Sequence, residues 1–321
     1  MKRKIAVLAG GYSGESVISE RSAKMVMNNI DRVHFDPILI RVYRDCWYAD
    51  VDGVETDVNK ANLSVMVNGN LFIPEAAFIM IHGTPGEDGI LQGYLDMIGI
   101  PYTTGGVLNM ALTFNKGLTT LALRSYGIPV AKSRILTVKN SPSNSALINE
   151  IGLPCFVKPN RGGSSLGTSR VNNADELTPA IKKAFAVDGE VLIESFLEGT
   201  EVTCGVIPWE NDILALPATE IISENEFFDF EAKYEGKSNE ITPARIDDDT
   251  MASVKKTSEN IYRLMDCGGM IRVDFMIVKG VPHVIEINTV PGFSEASIIP
   301  QQAAVQGIDK ASLISTLLNH I

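Results

Sequence analysis

No apolar stretch in the 321 residues approaches the roughly 20 that a membrane helix needs, which argues for a soluble chain. Positive charge is also scarce: 28 Lys and Arg stand against 39 Asp and Glu, a net of −11, and no basic run follows the first four residues. Nucleic acid and anionic membrane surfaces are therefore poor partners, whereas a small phosphorylated ligand needs only local cations. Cys46, Cys155, Cys204 and Cys267 are far apart and form no Cys-x-x-Cys. That excludes the usual zinc spacing and fits a reduced, cytoplasmic protein better than a disulfide framework. Met1-Lys2-Arg3-Lys4 is followed by only five apolar residues before Gly10-Gly11, too few for a signal peptide, and reads as the approach to a first strand. The Gly-x-Gly-x-x-Gly and Gly-Lys-Ser/Thr patterns expected of a dinucleotide fold or a Walker loop are missing at the glycine-rich turns.

The length suggests two or three domains. Over the first hundred residues strands alternate with helices, which predicts a parallel sheet with crossover helices. A strand over 5–9 leads through Gly10-Gly11-Tyr12-Ser13-Gly14-Glu15 into a helix to 29, and a strand over 77–81 leads through a loop at 82–89 into a helix to 98. Open α/β sheets bind ligands beyond the carboxyl ends of their strands, so Glu15 and His82 are expected at one crevice. A histidine at a strand end is as often structural as functional. After a connector at 101–106 come one helix ending before Gly127, strands near 134–138, 155–158, 168–171 and 191–195, and a helix near 175–186. The third region carries further strands, a helix from 249 to Gly268-Gly269 and a terminal helix. The expected organisation is α/β with α+β elements, divided at 1–104, 105–195 and 196–321.

Residues 271–292 read as a hairpin. Ile271, Val273, Phe275 and Ile277, with Ile285 and Ile287, form a core face; the other face carries Met276, Val278 and Val284 near the turn and Arg272, Asp274, Glu286 and Asn288 at the open end. With Lys279-Gly280-Val281 as a three-residue loop, Asp274 lies opposite Glu286, their Cβ atoms about 5 Å apart, where like charges repel. A divalent cation removes the conflict, and an Asp, Glu and Asn set without His or Cys suits Mg²⁺ or Mn²⁺ co-ligated by a nucleotide polyphosphate. The plainer alternative is a polar hairpin end in water. Two other segments fit a polyphosphate site. Lys158 is followed by Pro159-Asn160-Arg161-Gly162-Gly163-Ser164-Ser165-Leu166-Gly167, whose N–H groups and hydroxyls can wrap an anion or form an ordinary hairpin tip. Residues 222–245 keep neither helical nor strand period and read as a lid or a solvated insertion.

These segments together resemble the D-alanine–D-alanine ligase family of ATP-grasp enzymes. The matching pieces run in order along nearly the whole chain: Gly10-Gly11-x-Ser13-x-Glu15; His82-Gly83 with Gly86-Glu87-Asp88-Gly89; Lys158-Pro159 with Gly163-Ser164-Ser165-x-Gly167; Glu231-Ala232-Lys233-Tyr234; Arg272-x-Asp274; and Glu286-x-Asn288-Thr289-x-Pro291-Gly292. The resemblance implies a three-domain ATP-grasp fold, a homodimer, ATP as co-substrate and two Mg²⁺ (or Mn²⁺) ions held by Asp274, Glu286 and Asn288. It implies phosphate contacts from Lys116, Lys158, Lys233 and Ser165, adenine and ribose contacts from Glu194 and Glu201, and a base pocket of Phe196, Leu197 and Met276. Glu15, with Ser164 and Tyr234, would meet the first D-alanine's ammonium, and His82 would orient that substrate. Arg272 and the Gly292 N–H would stabilise the oxyanion, and Ser297 with the Ile298 N–H would hold the second carboxylate. Tyr234 favours an amine over D-lactate as second nucleophile; Phe230 departs from the tyrosine common in relatives. A ligase for another carboxylate and amine, or a non-catalytic nucleotide-binding regulator, is the competing expectation.

Overall fold

The computed structural model describes residues 2–163, 165–223 and 238–321. The expectations placed on Ser164, Phe230, Lys233, Tyr234 and most of the 222–245 segment lie outside the described residues.

The first sheet has the strand order Val54–Asp57, Trp47–Val51, Phe35–Val42, Arg3–Gly10, Ala76–Ile79. Its centre is parallel, as expected, with Arg3–Gly10 flanked by Phe35–Val42 and Ala76–Ile79. Ile5, Ala6, Val7, Leu8 and Ala9 are fully buried. Both faces of this strand are covered, which is why its sequence is continuously apolar rather than alternating. The outer strands differ from the expected alternation of strand and helix: Trp47–Val51 pairs antiparallel with both neighbours. Asp52-Gly53 provides the reason, since positive φ at both residues (54° and 83°) makes a two-residue hairpin turn.

The central sheet is antiparallel, in the order Ser169–Val171, Cys155–Pro159, Glu190–Ser195, Ser133–Thr137. The single helix expected before Gly127 is two, Val107–Phe114 and Lys116–Ser125. Asn115 breaks it: its backbone is extended and its Oδ1 accepts the Leu118 N–H at 3.0 Å, an N-cap that restarts the helix with Lys116 at its first position.

The third sheet contains the acidic hairpin, in the order Ser238–Ile241, Thr219–Ser223, Thr200–Trp209, Ile271–Val278, Val281–Asn288. Asp274 pairs with Glu286 and Arg272 with Asn288, as expected, but by a different route. The turn is two residues, Lys279 and Gly280, both at positive φ, so Val278 pairs with Val281. A bulge then restores the register between Asp274 and Phe275, with Ile285 as the extra residue. The side chains between the turn and the bulge therefore change partners. Val284 is buried opposite Phe275 in the core, not beside Met276; Ile285 is only partly buried; and His283 stands opposite Met276.

Helix Asp248–Leu264 packs on this sheet, as do the terminal helices Ile298–Val305 and Lys310–Asn319 on strand Thr200–Trp209, and the last of them also meets helix Ser16–Asn29 of the first sheet's region. Ile299, Leu313, Ile314, Leu317 and Leu318 share one apolar cluster with Ile5, Leu8 and Phe78. Arg3 ties the chain ends together, Nη1 donating to the Leu318 carbonyl at 2.6 Å. Among the described residues no helix is long and apolar enough to cross a membrane.

Candidate active site

A cleft of about 260 Å³ opens where the first sheet's loops meet the open end of the hairpin. On the hairpin side, Arg272 grips Asp274 with both prongs of its guanidinium, Nε to Oδ1 and Nη2 to Oδ2, each at 2.8 Å. Such a fork is the strongest arrangement available to this pair. Asp274 is 6 % exposed and also accepts from Thr203 Oγ1 at 2.5 Å and Asn288 Nδ2 at 3.0 Å. Across the hairpin Glu286 lies 3.5 Å from Lys116 Nζ, which also donates to the Gly162 carbonyl at 2.9 Å. The opposed carboxylates expected to need a cation thus already have two protein cations, Arg272 and Lys116. No group of three or more His, Cys, Asp or Glu side chains with metal-holding geometry exists among the described residues. Two carboxylates and one amide still fit Mg²⁺, which typically takes one or two carboxylates and completes its shell with water and phosphate oxygens.

The opposite wall comes from the first sheet. Glu15 precedes helix Ser16–Asn29, at the end where the helix dipole favours a carboxylate. A Cβ on Gly163 would lie 2.7 Å from Glu15 Oε1, so the glycine loop packs directly on this carboxylate. Beside it Ser165 adopts φ 55°, uncommon for a residue with a Cβ. His82 is buried, with Nδ1 2.8 Å from the Val290 carbonyl and Nε2 3.1 Å from Ser22 Oγ. A carbonyl can only accept, so Nδ1 carries the proton and the Ser22 hydroxyl donates to Nε2. Burial pushes the His82 pKa below its ordinary value, against the pull of Glu15. A neutral ring with both nitrogens engaged orients the loop at 290 and is ill suited to act as a base. Gly292, Ser297 and Ile298 complete the cleft.

The residues expected around a nucleotide base form a second group, outside that cleft. Lys158 Nζ lies 2.5 Å from Glu194 Oε2, both side chains nearly buried. Phe196 stands 6.1 Å, ring to ring, from Phe156 and stacks under the Arg170 guanidinium at 4.6 Å. On the facing sheet Glu201 pairs with Met276. Asn160 anchors the glycine loop between these groups: its Nδ2 donates to Asn115 Oδ1 and Glu190 Oε2, each at 2.8 Å, while its Oδ1 accepts the Gly117 N–H at 2.8 Å. Asn160, Thr203, Ser22, Glu87, Arg21 and Glu240 had no expected role, yet each lines the cleft or braces a group that does. Glu87 lies inside the 82–89 motif, Asn160 in the glycine-rich stretch and Glu240 in the 222–245 segment, but none is singled out there. Thr203 and Ser22 act through partners from distant segments.

Two sheets that flank a glycine loop and its lysines, one of them bearing an Asp, Glu and Asn hairpin, define an ATP-grasp enzyme. The sequence profile described as D-ala D-ala ligase N-terminus matches residues 4–105, and that described as D-ala D-ala ligase C-terminus matches 122–319. The chain belongs to the D-alanine–D-alanine ligase family. It is 43 % identical to the D-alanine–D-alanine ligase of Phocaeicola vulgatus over all of this chain and 99 % of the relative, and 45 % identical to that of Porphyromonas gingivalis over 99 % and 98 %. Among solved structures, the VanG D-Ala:D-Ser ligase of Enterococcus faecalis superposes with a TM-score of 0.88 at 31 % identity, covering 99 % of both chains. The Bacillus anthracis D-alanine–D-alanine ligase complexed with ATP superposes with a TM-score of 0.79 at 27 % identity, covering 99 % and 97 %.

Proposed function

We propose that this chain joins two D-alanine molecules to D-alanyl-D-alanine for peptidoglycan precursor synthesis, consuming ATP through an acyl phosphate. The observation that carries this reading is the meeting of three functions in one cleft: the Glu15 carboxylate, suited to an ammonium; the Lys116–Glu286 pair, suited to phosphate and metal; and Arg272 and the Gly292 backbone, suited to an oxyanion. The carboxylate of the first D-alanine, its ammonium at Glu15, attacks the γ-phosphorus and ADP leaves. The amine of the second, its carboxylate at Ser297 and the Ile298 N–H, attacks the acyl carbon; phosphate leaves and the amine loses a proton. Arg272 and the Gly292 N–H meet the negative charge that develops on the carbonyl oxygen. Lys116, Lys158, Lys233 and Ser165 take the phosphates; Glu194, Glu201, Phe196, Leu197 and Met276 take the nucleoside; Ser164 and Tyr234 complete the network at Glu15. Asp274, Glu286 and Asn288 would hold two Mg²⁺ or Mn²⁺ ions, which supply charge neutralisation as a carboxylate approaches a triphosphate. The domains are taken as 1–104, 105–195 and 196–321, with 222–245 as lid, in a cytoplasmic homodimer where ATP is at hand.

Phosphate release with ATP, Mg²⁺ and D-alanine tests the reading, and turnover that does not depend on D-alanine defeats it. The VanG neighbour makes D-serine the competing second substrate. With D-alanine held limiting, D-serine and D-lactate are expected to give little mixed product at neutral pH. Efficient depsipeptide formation from D-lactate overturns the choice of an amine nucleophile.

A further inference from the structure

The turn at 82–87 and the loop at 288–292 face each other across the cleft floor, and three side chains of the first sheet's region fasten them. His82 Nδ1–H donates to the Val290 carbonyl at 2.8 Å, and Glu87 Oε1 accepts the Val290 N–H at 3.3 Å, so both polar groups of one peptide residue are gripped. Ser22 Oγ accepts the Phe293 N–H at 3.1 Å. The second Glu87 oxygen, Oε2, accepts the Gly83 N–H at 2.6 Å, linking the loop back to the turn that carries His82. Pro291 and Gly292 lie between the fastened residues 290 and 293.

We propose that Glu87 is a positioning residue for ligation: by accepting from Gly83 and Val290 at once, its carboxylate fixes the 288–292 loop and so aims the Gly292 N–H at the developing oxyanion. The inference rests on the reading of Gly292 given above. An ionised carboxylate accepts at both oxygens, whereas a protonated one presents a hydroxyl, a donor, to one of the two N–H groups. The charges around it decide which form is present. Glu15 lies on the same wall of the cleft and adds negative charge, Lys116 opposes it with positive charge, His82 shares Glu87's turn, and Arg21, Arg272, Glu286 and Glu240 line the remaining walls. Burial and Glu15 push the carboxyl up to about 7, against the two N–H groups and Lys116. The fastening is then complete above about pH 7 and slackens below it. An ammonium bound at Glu15 offsets the charge that raises Glu87, so the first substrate itself favours the ionised, fastened form.

The expected signature is an acid limb near pH 7 in kcat/KM for D-alanine, displaced to lower pH in kcat, since the former reports free enzyme and the latter the complex. His82, pushed below its usual value, titrates lower still. Glu87→Gln keeps the shape, loses one acceptor and cannot titrate. It is expected to lower kcat on the order of 10–100-fold, the scale of a small misplacement at a reacting centre, with the KM for ATP changed less than about twofold. It should also abolish the limb. Wild-type kcat in Glu87→Gln, or an unchanged limb, overturns the inference while leaving D-alanine ligation intact. Absence of D-alanine-dependent phosphate release in the wild type defeats the ligation reading itself. Calorimetry on the wild type, independent of whether the variant folds, supplies a second measurement. Titrating D-alanine into enzyme saturated with magnesium and a non-hydrolysable ATP analogue, in buffers of different ionisation enthalpy at pH 7, should show net proton release; none overturns the linkage.

Discussion

Asp274→Asn is expected to lower phosphate release with ATP, Mg²⁺ and D-alanine by about a thousandfold, and Glu286→Gln by a comparable factor. A cation clamp at a transferring phosphoryl group contributes several kcal/mol, and about 4 kcal/mol corresponds to three powers of ten. The two variants differ in their effect on the fold. Asp274 is buried and accepts from Arg272, Thr203 and Asn288, so an amide there turns one acceptor into a donor facing other donors. A stability loss of about 1–3 kcal/mol by urea denaturation should accompany the activity loss. Glu286 meets Lys116 at 3.5 Å on the cleft wall, and its amide should leave stability nearly unchanged. Undiminished rates in both variants refute the metal assignment.

Phe275→Ala should produce the largest loss of stability, about 3–5 kcal/mol, the usual cost of truncating a buried phenylalanine. Phe275 is fully buried, follows Asp274 directly and faces Val202 on one neighbouring strand and Val284 on the other. Its ring sets the height of the strand on which Arg272 and Asp274 stand. The measurement is the urea midpoint at constant slope; a loss below about 1 kcal/mol would mean that the sheet beneath the site collapses onto the cavity at little cost. Because the bulge lies at the same place, the variant is also expected to weaken ATP binding.

Period-two alternation made the hairpin legible, because the core face of Ile271, Val273, Phe275 and Ile277 fixes which way Asp274 points. The expected pairing of Asp274 with Glu286 is correct although two of its premises are not. A turn one residue shorter than expected and a bulge one residue long cancel, and only the residues between the turn and the bulge, among them His283, Val284 and Ile285, record the difference. Lys279 at positive φ is what hid the two-residue turn, since lysine seldom takes that conformation. In the same way Asn115 is hidden, as a break, inside a stretch expected to form one helix. Its role as a cap depends on Asn160, which arrives from another strand.

The sequence by itself determined the chemistry: which side chains ionise, that hard oxygen ligands and lysines outnumber soft ones at the motifs, and that glycines free a loop to approach an anion. Those are properties of residue type and short spacing. Tertiary structure alone decided how the charges are matched. The bond of Thr203 to Asp274, the reach of Lys116 to Glu286 and the grip of His82 and Glu87 on Val290 join segments far apart in the chain. Such pairings follow from how three sheets pack, and a hydrogen bond falls off within a fraction of an ångström, so no local pattern encodes them.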